Sequence, residues 1–165
     1  MENIRFEEVK EEHIQELLDI YSYYVFNTTA TFHDHAITRE EMRELVIFVK
    51  PPYKAFIIEI AETICGYVIL TEYKKREAFR RTAEITIYLM PEYTGRGIGT
   101  KAIAYLENYA RAVNIHALIA VICGQNTNSI KLFAHCGYFN CAHYKEVGIK
   151  FGQVLDLVCY EKLLN

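Results

Sequence analysis

The sequence lacks any apolar run long enough to cross a membrane. Its longest apolar stretches, such as Ala117–Cys123, fall far short of the roughly 20 residues that a spanning helix requires. The first residues, Met1-Glu2-Asn3-Ile4-Arg5-Phe6, also lack the apolar segment of a secretory signal. We therefore expect a cytoplasmic location and no membrane partner.

A basic excess is missing as well. The 165 residues carry 18 Lys and Arg against 21 Asp and Glu, which gives a formal net charge of −3. Domains that bind nucleic acids usually carry a basic excess, so this charge disfavours a nucleic-acid partner. The net charge does not bear on small anionic ligands.

Cysteine pairs and metal-ligand patterns are also lacking. The five cysteines are odd in number and include no C-x-x-C pair. Cys65, Cys123 and Cys159 lie within apolar runs, as small core residues do, which favours reduced thiols in a cytoplasmic protein. The pair His33-x-His35 has no evident third ligand, so the sequence predicts no metal site.

What the sequence does have is apolar material for one core. Hydrophobic residues make up 52% of the chain, and no repeat or linker divides it, so we expect a single domain over residues 1–165. Periodicity predicts the order β-α-α-β-β-β-α-β-α-β-β and hence an α/β fold, a mixed central sheet with helices on both faces. The predicted strands are residues 4–9, 55–60, 65–72, 82–89, 117–123, 138–143 and 154–160. The predicted helices are residues 11–25, a segment from Thr38 to before Pro51, a segment after the glycine-rich loop at residues 95–99, and residues 130–136 behind a cap at Asn128 or Ser129.

The sharpest local signal is the segment Thr94-Gly95-Arg96-Gly97-Ile98-Gly99-Thr100, which separates a predicted strand from a predicted helix. Glycines let the backbone approach a ligand closely, and the first amides of a helix have no partner within it. The helix dipole adds partial positive charge at the same place, and Arg96 offers a charge-assisted contact. The segment therefore predicts an anion site, above all for a pyrophosphate. The alternative is a glycine-rich turn that only caps the helix.

Two common nucleotide motifs do not fit this loop. The string G-x-x-x-x-G-K-S/T of the P-loop does not occur in the sequence. The dinucleotide fingerprint counted from Gly95 requires Gly or Ala where Thr100 stands. It also requires an acidic residue after the next strand, which ends instead in Cys123-Gly124.

The loop resembles the motif Q/R-x-x-G-x-G/A of the GNAT superfamily of acyl-CoA N-acyltransferases. Gly97 and Gly99 match its glycines, and Thr94 stands where Gln or Arg is usual. Thr82–Leu89 resembles the T-x-E-x-S/T-V/I-Y-V strand of the phosphinothricin acetyltransferase-like branch. Further motifs of that branch match at residues 126–132, 137–138, 147–152 and 155–157, so the resemblance spans nearly the whole chain.

This resemblance implies an N-acetyltransferase that uses acetyl-CoA as acyl donor. It implies that Ile87, Tyr88 and Leu89 hold the pantetheine arm by strand-like hydrogen bonds. The other expected cofactor contacts are Gly95, Arg96, Gly97, Ile98, Gly99, Thr100 and Asn126.

Glu84 is the candidate general base. Aminolysis of a thioester needs a neutral amine, so a base must take a proton from the ammonium form. Glu84 is a carboxylate within an otherwise apolar strand, and the resemblance puts the branch's proposed base at this position. Alternation places Glu84, Thr86 and Tyr88 on one face of the strand. The alternative is a structural carboxylate paired with Arg80 or Arg81.

The proton donor to the departing thiolate stays open. Many GNAT enzymes have a tyrosine in the helix after the Asn126-type motif, whereas this chain has Phe133 there. Either the thiolate leaves unaided, or another group such as Tyr138 or Tyr144 supplies the proton.

A basic connection precedes the strand of Glu84. In the resembling enzymes this loop helps to form the amino-acid pocket, near or across a dimer interface, which makes Lys74, Arg76, Phe79 and Arg80 the candidate substrate contacts. The alternative is a solvated charged loop. We expect a homodimer that acetylates a small amino acid or an analogue such as methionine sulfoximine or sulfone. Its alternatives are an enzyme for another small amine or a protein N-terminus, and a catalytically weak acyl-CoA-binding module.

Overall fold

The computed structural model describes residues 2–165, which form one seven-stranded sheet and four α-helices. The strands are β1 (Ile4–Glu8), β2 (Lys54–Ile60), β3 (Thr63–Glu72), β4 (Thr82–Leu89), β5 (Ala117–Cys123), β6 (Phe139–Lys150) and β7 (Gln153–Leu163). The helices are α1 (Ile14–Asn27), α2 (Arg39–Val46), α3 (Ile98–Ala112) and α4 (Thr127–His135). The order along the chain is the predicted one, and the α/β fold class is confirmed.

The sheet is mixed, with strand order β1-β2-β3-β4-β5-β7-β6. Every neighbouring pair is antiparallel except β4 and β5, which run parallel because α3 crosses over between them. This parallel pair is short: Thr82 pairs with Ala117, Ala83 with Leu118, and Glu84 with Ile119. Beyond Glu84 the two strands part, which opens the middle of the sheet.

Apolar side chains cover both faces of the sheet, as the alternation along its strands predicts. On one face Ile58 and Val68 pack with Ile103 and Leu106 of α3. The opposite face has its own cluster, formed against α1 and α2 by Leu17, Met42, Ile57 and Tyr67. Two separate cores therefore hold helices on both sides of one sheet.

Two of the four helices, α2 and α4, begin at a side-chain cap. Thr38 caps α2 as predicted, because the Glu41 amide donates to Thr38 Oγ1 over 3.1 Å and the Thr38 amide donates to Glu41 Oε2 over 2.6 Å. The predicted cap of α4 is wrong. Asn126 takes that place, with its side-chain oxygen accepting from the Ser129 amide over 3.2 Å, so the helix begins at Thr127.

The last two strands are longer than predicted. They form a hairpin through Phe151 and Gly152, whose φ angles of 52° and 70° suit a tight turn. The register of β6 shifts between Tyr144 and Gly148, and this irregularity breaks the two-residue alternation on which the sequence reading depended. α1 likewise begins at Ile14, after a short 3-10 turn over Glu11–His13, and runs to Asn27.

Candidate active site

The parting of β4 and β5 opens a cleft of about 770 Å³. Its walls come from β4, β5, the loop before α3, the start of α4 and the segment that follows α1. Three segments that the sequence predicted for cofactor binding meet here: the end of β4, the glycine loop and Asn126. Residues far apart in the chain thus share one cavity at the centre of the sheet.

One wall of the cleft is the free edge of β4. Ile87, Tyr88 and Leu89 line the cleft and pair only with β3, since the pairing with β5 ends at Glu84. Backbone groups on the unpaired side are therefore available to an extended ligand that adds itself as a strand would. The Leu89 carbonyl oxygen already accepts a hydrogen bond from the Tyr24 hydroxyl.

The glycine loop forms the second wall. Gly95 and Gly97 have φ angles of 72° and 77°, in the left-handed region that glycine adopts without strain. A Cβ atom at either position would meet no atom within 4 Å, so the space beside them is open. The amides of residues 95–100 have no hydrogen-bond acceptor within residues 2–165, and those of Ile98, Gly99 and Thr100 belong to the first turn of α3. The wall thus presents unpaired donors at a helix N-terminus, where an anion is stabilised.

The other loop residues divide by role. Gly99 allows α4 to pack closely, because a Cβ there would lie 2.9 Å from Leu132 Cδ2. Ile98 is 1% exposed, belongs to the core and is not among the residues that line the cleft. The Arg96 side chain is paired with Glu2, and its guanidinium carbon lies 5.0 Å from the centre of the Tyr93 ring. Thr100 lines the cleft.

The α4 side of the cleft contains Asn126 and Phe133. Asn126 lines the cleft, but its side-chain oxygen is engaged in capping α4. Phe133 is 2% exposed and presents an apolar ring to the cavity. Tyr138 packs edge-on against Phe133 at 5.0 Å between ring centres, and neither Tyr138 nor the exposed Tyr144 lines the cleft. Neither candidate donor of a proton to the thiolate therefore borders this cavity.

A second, smaller chamber of about 210 Å³ lies on the α1–α2 side of the sheet. It is lined by Tyr21, Met42, Leu45, Tyr67, Ile69, Thr71, Glu84, Thr86 and Tyr88. The predicted alternation of β4 is thereby confirmed, since Glu84, Thr86 and Tyr88 all border this chamber. Thr86 and Tyr88 also line the cleft, so the two cavities share a wall.

Glu84 is half-buried and carries no ion pair within residues 2–165. The arginines proposed as its structural partners are engaged elsewhere: Arg80 donates to the Glu77 carbonyl over 3.1 Å and Arg81 to the Asn114 carbonyl over 3.2 Å. Burial raises the pKa of Glu84 above its ordinary value. Among the described residues it is the one carboxylate that lines either cavity. A carboxylate with a raised pKa beside a reaction cleft is suited to take up a proton.

The predicted substrate residues lie outside both cavities of this chain. Lys74, Arg76, Phe79 and Arg80 sit on the exposed connection between β3 and β4. The Lys74 ammonium nitrogen lies 5.4 Å from the centre of the Phe79 ring. The loop leads directly into the strand of Glu84, but it contributes no wall to either cavity.

The segment after α1 also lines the cleft, which the sequence analysis did not predict. Thr28, Thr29 and Ala30 line the cleft together with Tyr24. Neighbouring Thr31 anchors this segment, since its carbonyl accepts from Lys150 Nζ over 2.8 Å and its hydroxyl lies 2.6 Å from the Tyr21 hydroxyl. The sequence carries no local signal for this contact, because Lys150 and Thr31 are 119 residues apart in the chain and the burial of Lys150 is seen only in the structure.

Three further observations concern cysteines, metals and membranes. All five cysteines are free; Cys65 and Cys123 are buried as predicted, whereas Cys159 is only half-buried. Residues 2–165 contain no group of three His, Cys, Asp or Glu arranged to hold a metal ion. Within the same residues, no helix combines the length and apolarity that crossing a membrane requires.

Known proteins share this architecture. The family model described as "Acetyltransferase (GNAT) family" matches residues 13–138. A phosphinothricin N-acetyltransferase from Streptomyces coelicolor is 34% identical over 93% of this chain and 92% of its own length. An L-methionine sulfoximine/L-methionine sulfone acetyltransferase from Salmonella typhimurium is 30% identical over 90% of this chain and 88% of its own length. The acetyltransferase yncA from Salmonella typhimurium, solved with its cofactor acetyl-CoA, superposes with a TM-score of 0.87 at 27% identity, covering 99% of this chain and 95% of that one.

Proposed function

The chain belongs to the acetyltransferase (GNAT) family, and from that premise we propose that it transfers the acetyl group of acetyl-CoA to the amine of a small amino acid or amino-acid analogue. The observation that carries the proposal is the shared wall between two cavities. The cleft has unpaired amides suited to an anion, and the chamber beside it holds Glu84. Thr86 and Tyr88 border both, so a donor in one and an amine in the other meet at β4.

The cleft fits acetyl-CoA in three respects. Its glycine loop combines open space with the unpaired amides of residues 95–100, as a pyrophosphate requires. The free edge of β4 at Ile87, Tyr88 and Leu89 suits the amide-bearing pantetheine arm. Phe133 supplies an apolar surface beside it. When bound, acetyl-CoA supplies a thioester-activated acetyl group.

The remaining predicted cofactor residues contribute through their backbone or their packing. Arg96 and Ile98 contribute amides, Gly99 brings α4 close, and Thr100 lies at the end of the amide row. Asn126 contributes by capping α4 at the cleft wall, with its amide nitrogen left for a ligand.

Glu84 acts on the acceptor amine. The α-amine of a free amino acid has a pKa above the value of about 8 of a peptide N-terminus, because its own carboxylate stabilises the ammonium, so most of it is protonated at neutral pH and cannot attack a carbonyl. Glu84 takes the proton directly or through one water, and its raised pKa makes it a better base than an exposed glutamate. The departing thiol has a pKa near 8.5, so it leaves as a thiolate without a dedicated proton donor beside Phe133.

The acceptor class rests on the relatives and on charge. Two relatives are named for phosphinothricin and for methionine sulfoximine or sulfone, which are amino-acid analogues. The exposed cations Lys74, Arg76 and Arg80, with Phe79 among them, directly precede β4 and provide positive charge that attracts the α-carboxylate of such an acceptor.

A thiol-release assay tests the proposal. The protein is incubated with acetyl-CoA and a panel that contains methionine sulfone, methionine sulfoximine, phosphinothricin, spermidine and an N-terminal peptide. We expect turnover with the amino-acid analogues and little with spermidine or the peptide. Turnover with spermidine or the peptide alone would show that the acceptor is another kind of amine. No turnover with any of these amines would contradict the proposal that the protein is an acetyltransferase.

We also propose that the protein is a homodimer. The hairpin of β6 and β7 exposes Val147, Ile149, Phe151 and Val154, of which Ile149 is 75% exposed. Exposed apolar side chains grouped on one hairpin are typical of an interaction surface, and the chain itself offers a second copy as partner. Light scattering that gives a mass near 19.2 kDa at working concentration would contradict the dimer.

A single domain in the cytoplasm completes the proposal. One continuous sheet contains all seven strands, with β1 at one edge and β6 at the other, which supports a single folding unit over the whole chain. Five unpaired thiols, including the exposed Cys141, are typical of a reducing compartment. Cell fractionation with a tagged full-length chain measures the location.

A further inference from the structure

Lys150 is the one buried residue of β6. All the other residues of this twelve-residue strand are exposed or half-buried. Lys150 is 2% exposed, whereas its neighbours Ile149 and Phe151 are 75% and 53% exposed. Lysine is among the residues least often buried, because its ammonium gives up hydration that an apolar interior does not replace. The inward position of this side chain therefore needs a compensating contact.

That contact is the backbone carbonyl of Thr31, to which Lys150 Nζ donates over 2.8 Å. Within residues 2–165 no carboxylate lies within ion-pair distance of the ammonium, and burial lowers the pKa of Lys150 below its ordinary value. A buried charge held by a neutral carbonyl contributes little net stability, because the loss of hydration opposes the hydrogen bond. The contact therefore draws attention to the segment that carries the carbonyl.

That segment is the part of the α1–α2 connection that lines the cleft. Residues 28–38 form neither helix nor strand, and residues 28–30 border the cleft. Thr31 fastens the end of this lining by two contacts. Its carbonyl accepts from Lys150, and its hydroxyl oxygen lies 2.6 Å from the Tyr21 hydroxyl. The position of this cleft wall thus depends on two side chains from outside the segment.

The two contacts come from opposite sides of the cleft. In the sheet order, β3 and β4 lie on one side of the opening, and β5, β7 and β6 lie on the other. Tyr21 belongs to α1, which packs on β3 and β4, and its ring meets that of Tyr88 edge-on at 5.4 Å between centres. Lys150 belongs to the tip of the β6–β7 hairpin. The segment therefore bridges the two halves of the sheet where they part, and Lys150 is its attachment to the far half.

We propose that Lys150 is a positioning residue for acetyl-CoA, because its ammonium holds residues 28–31 in place as a wall of the cleft. Lys150 does not touch the donor itself, since it lines neither cavity. Without this ammonium the segment leaves its place for part of the time, and only molecules with the segment in place bind acetyl-CoA at full affinity. The inference rests on the proposed function, because it concerns the donor of that same reaction.

Lys150→Met tests the assignment, because methionine keeps an unbranched apolar side chain but brings no hydrogen-bond donor. We expect the Kd for acetyl-CoA, measured by titration calorimetry, to rise about 3- to 30-fold, since the lost hydrogen bond no longer opposes displacement of the segment. The KM for acetyl-CoA rises by a similar factor. At saturating acetyl-CoA, kcat stays within about twofold of wild type, because the bound donor selects the molecules with the segment in place.

Hydrogen exchange in the ligand-free protein reports on the segment without any catalysis. In Lys150→Met we expect the amides of residues 28–31 to exchange faster than in wild type, and acetyl-CoA to restore their protection. Thr31→Val removes the hydroxyl that meets Tyr21 and leaves the carbonyl in place. We expect it to raise both the exchange rate and the Kd, so the test does not depend on the folding of one variant.

Lys162→Met is the matched control. Lys162 also donates to a backbone carbonyl, that of Cys136 over 2.8 Å, but it borders neither cavity. It forms an ion pair with Glu107 at 2.9 Å as well, so its removal costs at least as much stability as removal of Lys150. We expect a lower Tm with wild-type values of Kd, KM and exchange at residues 28–31. This control separates a loss of positioning from a general loss of stability.

Three outcomes would overturn the assignment. The first is a folded Lys150→Met protein with wild-type Kd and KM for acetyl-CoA. The second is a lower Tm with unchanged exchange at residues 28–31, which would show a structural lysine only. The third is a fall in kcat at saturating acetyl-CoA with an unchanged Kd. A wild-type protein that does not bind acetyl-CoA would refute the proposed function instead, and exchange in the ligand-free proteins would still decide whether Lys150 holds the segment.

Discussion

Replacing Glu84 with glutamine keeps the size and hydrogen-bonding reach of the side chain while removing its affinity for a proton. If Glu84 takes the proton from the acceptor ammonium, kcat/KM at pH 7 falls by roughly 10²–10⁴, the usual contribution of general-base catalysis. That range corresponds to about 2.7–5.4 kcal/mol of transition-state stabilisation. The structure supports the upper part of the range, because the described residues include no second carboxylate in either cavity to substitute for it.

The loss of kcat/KM in Glu84→Gln depends on pH. The α-amine of a free amino acid has a pKa above the value of about 8 of a peptide N-terminus, because its own carboxylate stabilises the ammonium, so at most roughly a tenth of the acceptor is neutral at pH 7. The variant uses only the neutral fraction, so its kcat/KM rises at least about tenfold between pH 7 and pH 9 and approaches the wild-type value. The KM for acetyl-CoA stays near wild type, since Glu84 lines the chamber and not the cleft.

Glu84→Gln is expected to lose activity at neutral pH but to gain stability there. Burial raises the pKa of Glu84, so the folded state binds its proton more tightly than the unfolded state does. The wild-type fold therefore loses stability as the pH rises from the unfolded pKa, about 4.3, through the folded one. Glu84→Gln does not titrate, so it is more stable than wild type at neutral pH, and the gap closes in acid.

Glu59→Gln is the matched control for this experiment. Glu59 is also a half-buried strand glutamate, it lies 3.5 Å from Arg5, and it borders neither cavity. Activity against pH and denaturant-induced unfolding against pH are measured for all three proteins. A Glu84→Gln enzyme with wild-type kcat/KM at pH 7 would remove Glu84 from the mechanism. A Glu84→Gln variant that is less stable than wild type at neutral pH would refute the conclusion that burial of the charged Glu84 carboxylate destabilises the fold.

Three other perturbations probe the cleft and the strand beside it. Gly97→Val places a β-branched side chain at a φ of 77° and into open cleft space, so we expect the KM for acetyl-CoA to rise more than about tenfold in initial-rate assays. A folded variant with the wild-type KM would show that this loop is not the phosphate site. Gly66→Ala places a methyl group against the Tyr88 carbonyl and 2.7 Å from Leu89 Cδ2. We expect this clash to lower the free energy of unfolding by about 1–3 kcal/mol and Tm by roughly 2–12 °C. An unchanged Tm would mean that β3 and β4 move apart without cost. Acetyl-CoA at 100 times its Kd adds about 2.7 kcal/mol to the free energy of unfolding in a thermal-shift series, whereas NAD and ATP add none. Protection by NAD or ATP alone would contradict acetyl-CoA as the cofactor.

Local patterns in the sequence were enough to predict the order of elements and the class of fold. The alternation of Glu84, Thr86 and Tyr88 placed them on one face because a strand repeats every two residues whatever its partners are. Positive φ angles at Gly95 and Gly97 follow from a turn that only glycine enters without strain. The cap at Asn126 was missed because Asn126, Asn128 and Ser129 all have side chains able to cap, and only the path of the chain after β5 selects one.

The sequence by itself determined which residues are able to bind an anion, take a proton or fill a core, since these properties belong to side-chain types and their local spacing. Only the tertiary structure decided which of them meet. The parting of β4 and β5 after Glu84, the pairing of Arg96 with Glu2, and the shared wall between the cleft and the chamber all depend on contacts between distant segments. Such contacts are set by how whole helices and strands pack against one another, and a local pattern carries no record of that packing.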